Sequence, residues 1–138
     1  MSRSVVLDSE AFSALAGRSS PRQREVRAAL AAAVRLRRDA IVPALVLAEL
    51  YRGAGRSALL DACLSRETGL LIRATDRSFA RLVGGILAGA GAGSQLLVDA
   101  HVVAAAVEAG GGVLLTTDVS DLARLAAPYR NIQVVDIR

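Results

Sequence analysis

Five short apolar runs recur along this chain, and helix-like stretches separate each from the next. Val5-Val6-Leu7, Ala40-Ile41-Val42, Leu70-Leu71-Ile72, Val113-Leu114-Leu115 and Val134-Val135 are too short for helices and too apolar for loops. The stretches between them carry helix punctuation. Asp8 to Ala16 reads as a helix stopped at Gly17. Ser20 and Pro21 give an N-cap followed by proline at the first helical position. Val26, Leu30, Ala33 and Val34 then form an apolar stripe backed by Arg24, Arg27, Arg35 and Arg38. Pro43 opens a helix ending near Gly53, and Ser57 to Arg66 is another. Thr75-Asp76 caps a helix that dissolves in Gly89-Ala90-Gly91-Ala92-Gly93. Leu96 to Ala109 runs into Gly110-Gly111-Gly112, and Asp118 to Ala127 stops before Pro128. Such alternation demands crossover connections, and right-handed crossovers give a parallel sheet covered on both faces. The expectation is an α/β fold. One doubly wound domain spans 1–138, with about five mostly parallel strands and helices on both faces.

Composition narrows the chemistry. All 17 basic residues are arginine, so a Schiff-base lysine, a Walker A lysine and a lysine-dependent phospho-acceptor site are excluded. One cysteine, Cys63, forms no internal disulfide, and one histidine, His101, builds no Cys/His zinc cage. A reducing cytoplasm is the expected compartment. The opening Met1-Ser2-Arg3-Ser4 leads through Val5-Val6-Leu7 to Asp8, an acid unsuited to a signal-peptide core. The longest uncharged run, Leu82 to Val98, contains five glycines and falls short of the ~20 apolar residues a membrane span needs. A net charge of +4 suits a phosphate-rich partner. The absence of tryptophan argues against single-strand binding by aromatic stacking.

In open α/β sheets, sites lie beyond the carboxyl ends of the strands. Asp8 follows the first run there. Thr116-Thr117-Asp118 follows the fourth, with Asp121 one helical turn later. Glu49 lies in the apolar Leu45 to Leu50 segment, and Asp99 in the apolar Leu96 to Ala100 segment. Each acid alone has an ordinary explanation. Asp8 and Asp118 suit helix caps, Glu49 suits an ion pair with Arg52, and Asp99 suits a cap if its helix begins late. Together they converge on one sheet end with no lysine to neutralise them. Crowded carboxylates need a counter-charge, and a hard divalent cation, Mg²⁺ or Mn²⁺, supplies it. Such a cation activates water for attack on a phosphodiester. Without those five acids, eight acids remain against 17 arginines, a balance of +9. An acidic pocket on a basic surface suits metal-dependent cleavage of a nucleic-acid backbone.

The four segments Val5-Val6-Leu7-Asp8-Ser9, Leu47-Ala48-Glu49-Leu50-Tyr51-Arg52-Gly53, Val98-Asp99-Ala100-His101-Val102-Val103-Ala104 and Leu115-Thr116-Thr117-Asp118-Val119-Ser120-Asp121-Leu122 resemble, in order and spacing, those of PIN-domain ribonucleases. The set looks most like the small VapC-like toxins of type II toxin–antitoxin modules. The resemblance implies a catalytic and metal-holding set of Asp8, Glu49, Asp99 and Asp118, with Asp121 as an additional metal-site acid and Thr116 as a supporting hydroxyl. It implies an Mg²⁺- or Mn²⁺-dependent endoribonuclease, RNA as substrate, homodimerisation and inhibition by a cognate antitoxin protein. One position departs from the family pattern: Glu10 stands where many members carry Ser, Thr or Asn.

Other residues carry less. His101, two positions after Asp99, points away from it on a helix and suits packing or the surface better than catalysis. Cys63, among Leu59, Leu60 and Leu64, reads as a core thiol. Asp136 ends the last run, and Asp39, Asp61 and Asp76 sit at helix ends or on helix faces. Arg52 divides between an ion pair with Glu49 and an RNA-phosphate contact at the pocket rim. The Val26 to Val34 stripe, if wider than the domain covers, suits an antitoxin segment. A receiver domain and a haloacid-dehalogenase-like phosphatase both fail on the missing lysine. A catalytically inactive PIN-like module that binds RNA or a partner is the remaining alternative.

Overall fold

The computed structural model describes residues 3–138; Met1 and Ser2, part of the proposed 1–138 domain and of the leader reading, lie outside the described residues. The strands are β1 (Ser4–Leu7), β2 (Asp39–Pro43), β3 (Leu70–Arg73), β4 (Gly112–Thr116) and β5 (Ile132–Asp136). The helices are α1 (Ser9–Ala16), α2 (Pro21–Arg35), α3 (Ala44–Leu50), α4 (Ala54–Arg66), α5 (Arg77–Gly89), α6 (Leu97–Glu108) and α7 (Val119–Ala126), with a short 3₁₀ turn at Ser94–Leu96 before α6. All five strands pair in parallel in one sheet, in the order β3-β2-β1-β4-β5. This is the α/β architecture expected from the alternation.

The central strands read as continuous apolar runs because they are covered on both faces. β1 is buried along its whole length, whereas the edge strand β3 exposes Leu71 and Ile72. α6 packs over β1, β2 and β4, flanked by α5 and α7, while α1 and α2 pack together against the same central strands. Every residue of α6 from Ala100 to Ala106 is buried, so its alanines let the helix lie close to its neighbours on all sides.

The punctuation holds at most boundaries. Ser20 accepts from the Gln23 N–H and Asp76 from the Phe79 N–H, each starting its helix as expected. Pro43 ends β2 and, at the N-cap position of α3, also opens that helix as expected. Two boundaries differ. Gly53, at φ 96°, leads into an α4 that starts at Ala54 rather than Ser57. Asp39 begins β2, paired with Ser4, rather than lying on a helix.

At the start of β4 the chain crosses β1 so closely that a Cβ on Gly112 would lie 2.3 Å from the Ser4 carbonyl oxygen, at a φ of 159°. Gly112→Ala should therefore cost about 3 kcal/mol, read as a drop in urea midpoint. An unchanged midpoint would show that β1 and β4 can separate without cost.

Candidate active site

The site begins with two neighbouring strands that end together. β1 and β4 pair to Leu7–Leu115, which sets Asp8 beside Thr116. Asp8 is 5% exposed and caps α1, its Oδ1 accepting from the Ala11 N–H at 2.8 Å. The capping explanation and the pocket explanation therefore describe one carboxylate. Thr116 is fully buried, and its hydroxyl accepts from the Asp118 N–H at 2.9 Å, which shapes the turn between β4 and α7. Asp118 occupies the N-cap position of α7 but makes no side-chain cap; instead its carboxylate accepts from Ser120 at 3.3 Å.

The other acids arrive on helices. Asp99 lies half-buried in the first turn of α6, past the helix start, so it is not a cap. Asp121 lies in the first turn of α7. Glu49 is exposed on α3, not embedded as its apolar neighbours suggested; Val46, Leu47 and Leu50 fill the buried side. Its Oε1 accepts a hydrogen bond from the Ser9 hydroxyl, tying α3 to the start of α1. Ser9 stood unread in the sequence because a serine after Asp8 looks like ordinary helix-start chemistry.

Electrostatics join these five acids. Burial, and then the charges of Asp121, Asp8, Asp118 and Glu49, push the Asp99 carboxyl up to about 6. Burial also raises Asp8, opposed by the Thr116 hydroxyl and the Ala11 N–H, while nearby Glu10 adds repulsion. Among the described residues, no three His, Cys, Asp or Glu side chains are grouped closely enough to hold a metal ion. The acids share one field without touching. An all-oxygen donor set with unrelieved negative charge fits a hard divalent cation in chemistry.

The remaining candidates resolve individually. Arg52 is exposed and donates through Nε to the Glu49 carbonyl oxygen at 3.1 Å, a backbone contact rather than the expected carboxylate pair. Glu10 is exposed on α1. His101 is buried between α5 and α6, with Nδ1 2.8 Å from the Leu97 carbonyl, Nε2 3.0 Å from the Thr75 hydroxyl, and its ring edge-on to Phe79. It is a packing residue with both nitrogens satisfied. Cys63 is buried, and burial raises its thiol. Asp61 accepts from the Tyr51 hydroxyl at 2.6 Å, and exposed Asp136 pairs with Arg138. The α2 stripe divides: Val26 and Ala33 are buried in the core, Leu30 is half-buried, and Val34 is 76% exposed.

A family model described as PIN domain matches residues 5–128. The fold is similar to the crystal structure of VapBC2 from Rickettsia felis bound to a DNA fragment from their promoter, with a TM-score of 0.64, 16% identity, and coverage of 96% of this chain and 98% of that one. It is also similar to the crystal structure of FitAcB from Neisseria gonorrhoeae, with a TM-score of 0.61, 17% identity, and coverage of 96% and 97%. No curated protein matches the sequence.

The shift on Asp99 has a measurable consequence in metal-free buffer. Its folded pKa of about 6 lies above the ordinary 3.8, so the folded state binds a proton more tightly than the unfolded state. The contribution of Asp99 to stability therefore falls as pH rises from about 4 to about 6. Asp99→Asn escapes that loss: its melting temperature should match wild type at pH 4 and exceed it above pH 6. A lower melting temperature for the variant at pH 7 would make Asp99 a structural anchor instead.

Proposed function

The chain belongs to the PIN domain family, and on that premise we propose that it is a metal-dependent endoribonuclease acting as the toxin of a toxin–antitoxin pair. One observation carries the catalytic reading: four other acids press on Asp99 at the carboxyl end of the sheet, with no lysine in the chain to offset them. That charge arrangement is costly to a folded protein and useful to a cation site.

In this reading Asp8, Glu49, Asp99 and Asp118 hold Mg²⁺ or Mn²⁺, with Asp121 supporting from the first turn of α7. When bound, the cation supplies counter-charge for the scissile phosphate and the acidity that turns water into a nucleophile. The protein's own groups do the rest. Asp8 is fixed by its cap bond to Ala11, and Glu49 is oriented by Ser9. Thr116 holds the turn that presents Asp118. Arg52, exposed beside Glu49, is placed to meet an RNA phosphate at the rim. A buried, bonded His101 and a buried Cys63 offer neither a histidine-activated nor a thiol nucleophile.

The partners follow the same reading: an RNA substrate, a cognate antitoxin and a second copy of the chain. The similarity in fold to VapBC2 supports the antitoxin. Among the described residues no helix is long and apolar enough to cross a membrane, which agrees with work in the cytoplasm. The non-catalytic alternative has one observation in its favour: among the described residues no three potential metal ligands are grouped closely enough to hold a cation.

Cation binding separates the two. Mn²⁺ should raise the melting temperature of wild type and leave Asp99→Asn unmoved. Affinity should weaken below about pH 6, where Asp99 must release a proton to bind. Cleavage should leave 5′-phosphate and 3′-hydroxyl ends, vanish in EDTA, and fall at least about 100-fold in Asp8→Asn or Asp99→Asn. Cyclic-phosphate ends, or cleavage surviving EDTA, would contradict the mechanism. Cation binding without cleavage of any RNA would favour the binding module.

A further inference from the structure

One face of α1 is only partly covered, with Glu10 and Gly17 exposed and Ser13 and Ala14 half-buried. Ala11, Phe12, Leu15 and Ala16 face the core, while Glu10, Ser13, Ala14 and Gly17 fall at the spacing of the opposite helix face. These four line an open cleft of about 590 Å³, whose far wall is Arg18, the start of α2 at Ser20 to Arg22, and Arg138. Arg18 and Arg22 are exposed and absent from the ion pairs of the described residues. Arg56 adds a further guanidinium, bonded only to the Ser13 hydroxyl and the Leu50 carbonyl. The positive end of the α2 dipole opens on the same cleft.

The cleft adjoins the acids. α1 starts at Asp8 and ends at Gly17, so its exposed face leads from the acidic site to the arginines. Glu10 acts on Asp8, and Arg138, held charged chiefly by Asp136, also senses Asp118. A second basic cleft, with Arg3, Arg38 and Arg130, sits beside the amino ends of the strands and cannot serve the same strand of substrate.

We propose that the α1 cleft is a backbone track for single-stranded RNA, in which Arg18 and Arg22 hold phosphates flanking the bond cut at the acidic site. This rests on the nuclease reading and adds to it a substrate length. α1 covers roughly 14 Å, which a stacked strand crosses in about four phosphates. RNA shorter than that on the cleft side gains nothing from the arginines. With no aromatic side chain in the lining, the contact is to phosphate and is indifferent to sequence.

The test uses Arg18→Ala/Arg22→Ala against Arg3→Ala/Arg130→Ala, which removes equal charge at the opposite end of the sheet. Binding of a 12-nucleotide RNA is read by fluorescence anisotropy in EDTA, so that it does not depend on cleavage. The cleft variant should bind roughly tenfold more weakly, and its slope of log affinity against log salt should shrink by about 1.4, for two phosphate contacts. In Mn²⁺, its KM for the 12-mer should rise while kcat and cleavage of a trinucleotide stay at wild type. The distal variant should move none of these. Equal losses in both variants, or wild-type affinity and slope in the cleft variant, overturn the track and leave the cleft to an acidic protein segment. Wild type that binds with the full slope difference yet cuts no RNA keeps the track and overturns the nuclease. Wild type that binds no RNA in EDTA yet cuts it in Mn²⁺ overturns the track and keeps the nuclease; wild type that neither binds nor cuts overturns both.

Discussion

The parallel pairing of β1 with β4 is the contact on which the rest depends. It places the ends of two central strands side by side, so Asp8 and the Thr116–Asp118 turn emerge at one point. A parallel sheet has its strand ends unbonded at that edge, and helices must start there to continue the crossovers. The first helical turns of α1 and α7 thus bring acids with them. Asp8 illustrates the economy of the arrangement. Its cap bond to Ala11 stabilises α1, while its burial raises the energy of its own charge. A side chain that both builds the helix and resists ionisation is held in place by the fold whether or not a cation is present.

The architecture was legible because its signals are local. Strand runs such as Val5-Val6-Leu7 and caps such as Ser20 and Asp76 depend on neighbours within four residues, and the structure agrees with them. The acids stood out because they follow strand ends or interrupt apolar segments, and the structure places Asp121, Asp8, Asp118 and Glu49 where each raises Asp99. What failed depends on three dimensions. Glu49 looked embedded because Leu47 and Leu50 flank it, yet a seven-residue helix turns it outward. The Val26 to Val34 stripe looked like one surface, but the core takes Val26 and Ala33 and leaves Val34 in water. The cleft on α1 had no sequence signal at all, since its wall unites Gly17 with Arg138 from opposite ends of the chain.

Charge is divided by position. The acids meet at the carboxyl end of the sheet, while arginines without ion pairs, such as Arg18 and Arg22, stand on the solvent face of the loop and helix that follow α1. Because these guanidinium groups stand in solvent outside the ion pairs of the described residues, their charge is free to meet an outside partner. A lysine brought beside Asp99 would have supplied the missing counter-charge and competed with a cation. The charges that act on Asp99 come from Asp121, Asp8, Asp118 and Glu49, and its raised pKa records that imbalance.

Besides its packing on the sheet, the helix that carries Asp99 is held by residues that are not acids of the site. α6 is clasped to the β3–α5 corner at both ends. Near its start, His101 donates from Nδ1 to the Leu97 carbonyl, which leaves Nε2 to accept from Thr75 in the neutral ring. At its far end, Glu108 takes a two-pronged contact from Arg73, at 2.7 and 2.9 Å. Arg73 also lies 4.4 Å over the Phe79 ring, whose edge meets His101. Exposed ion pairs of this kind add little stability on their own. Here the pair is bidentate and stacked on an aromatic, so it restrains direction more than it adds energy. The edge strand β3 contributes no acid to the pocket, yet the residues that follow it set the pose of the helix that carries Asp99. Histidine two residues after an acid invites a catalytic reading. In this fold its chemistry is spent on holding the helix, and the charges that act on Asp99 are those of carboxylates.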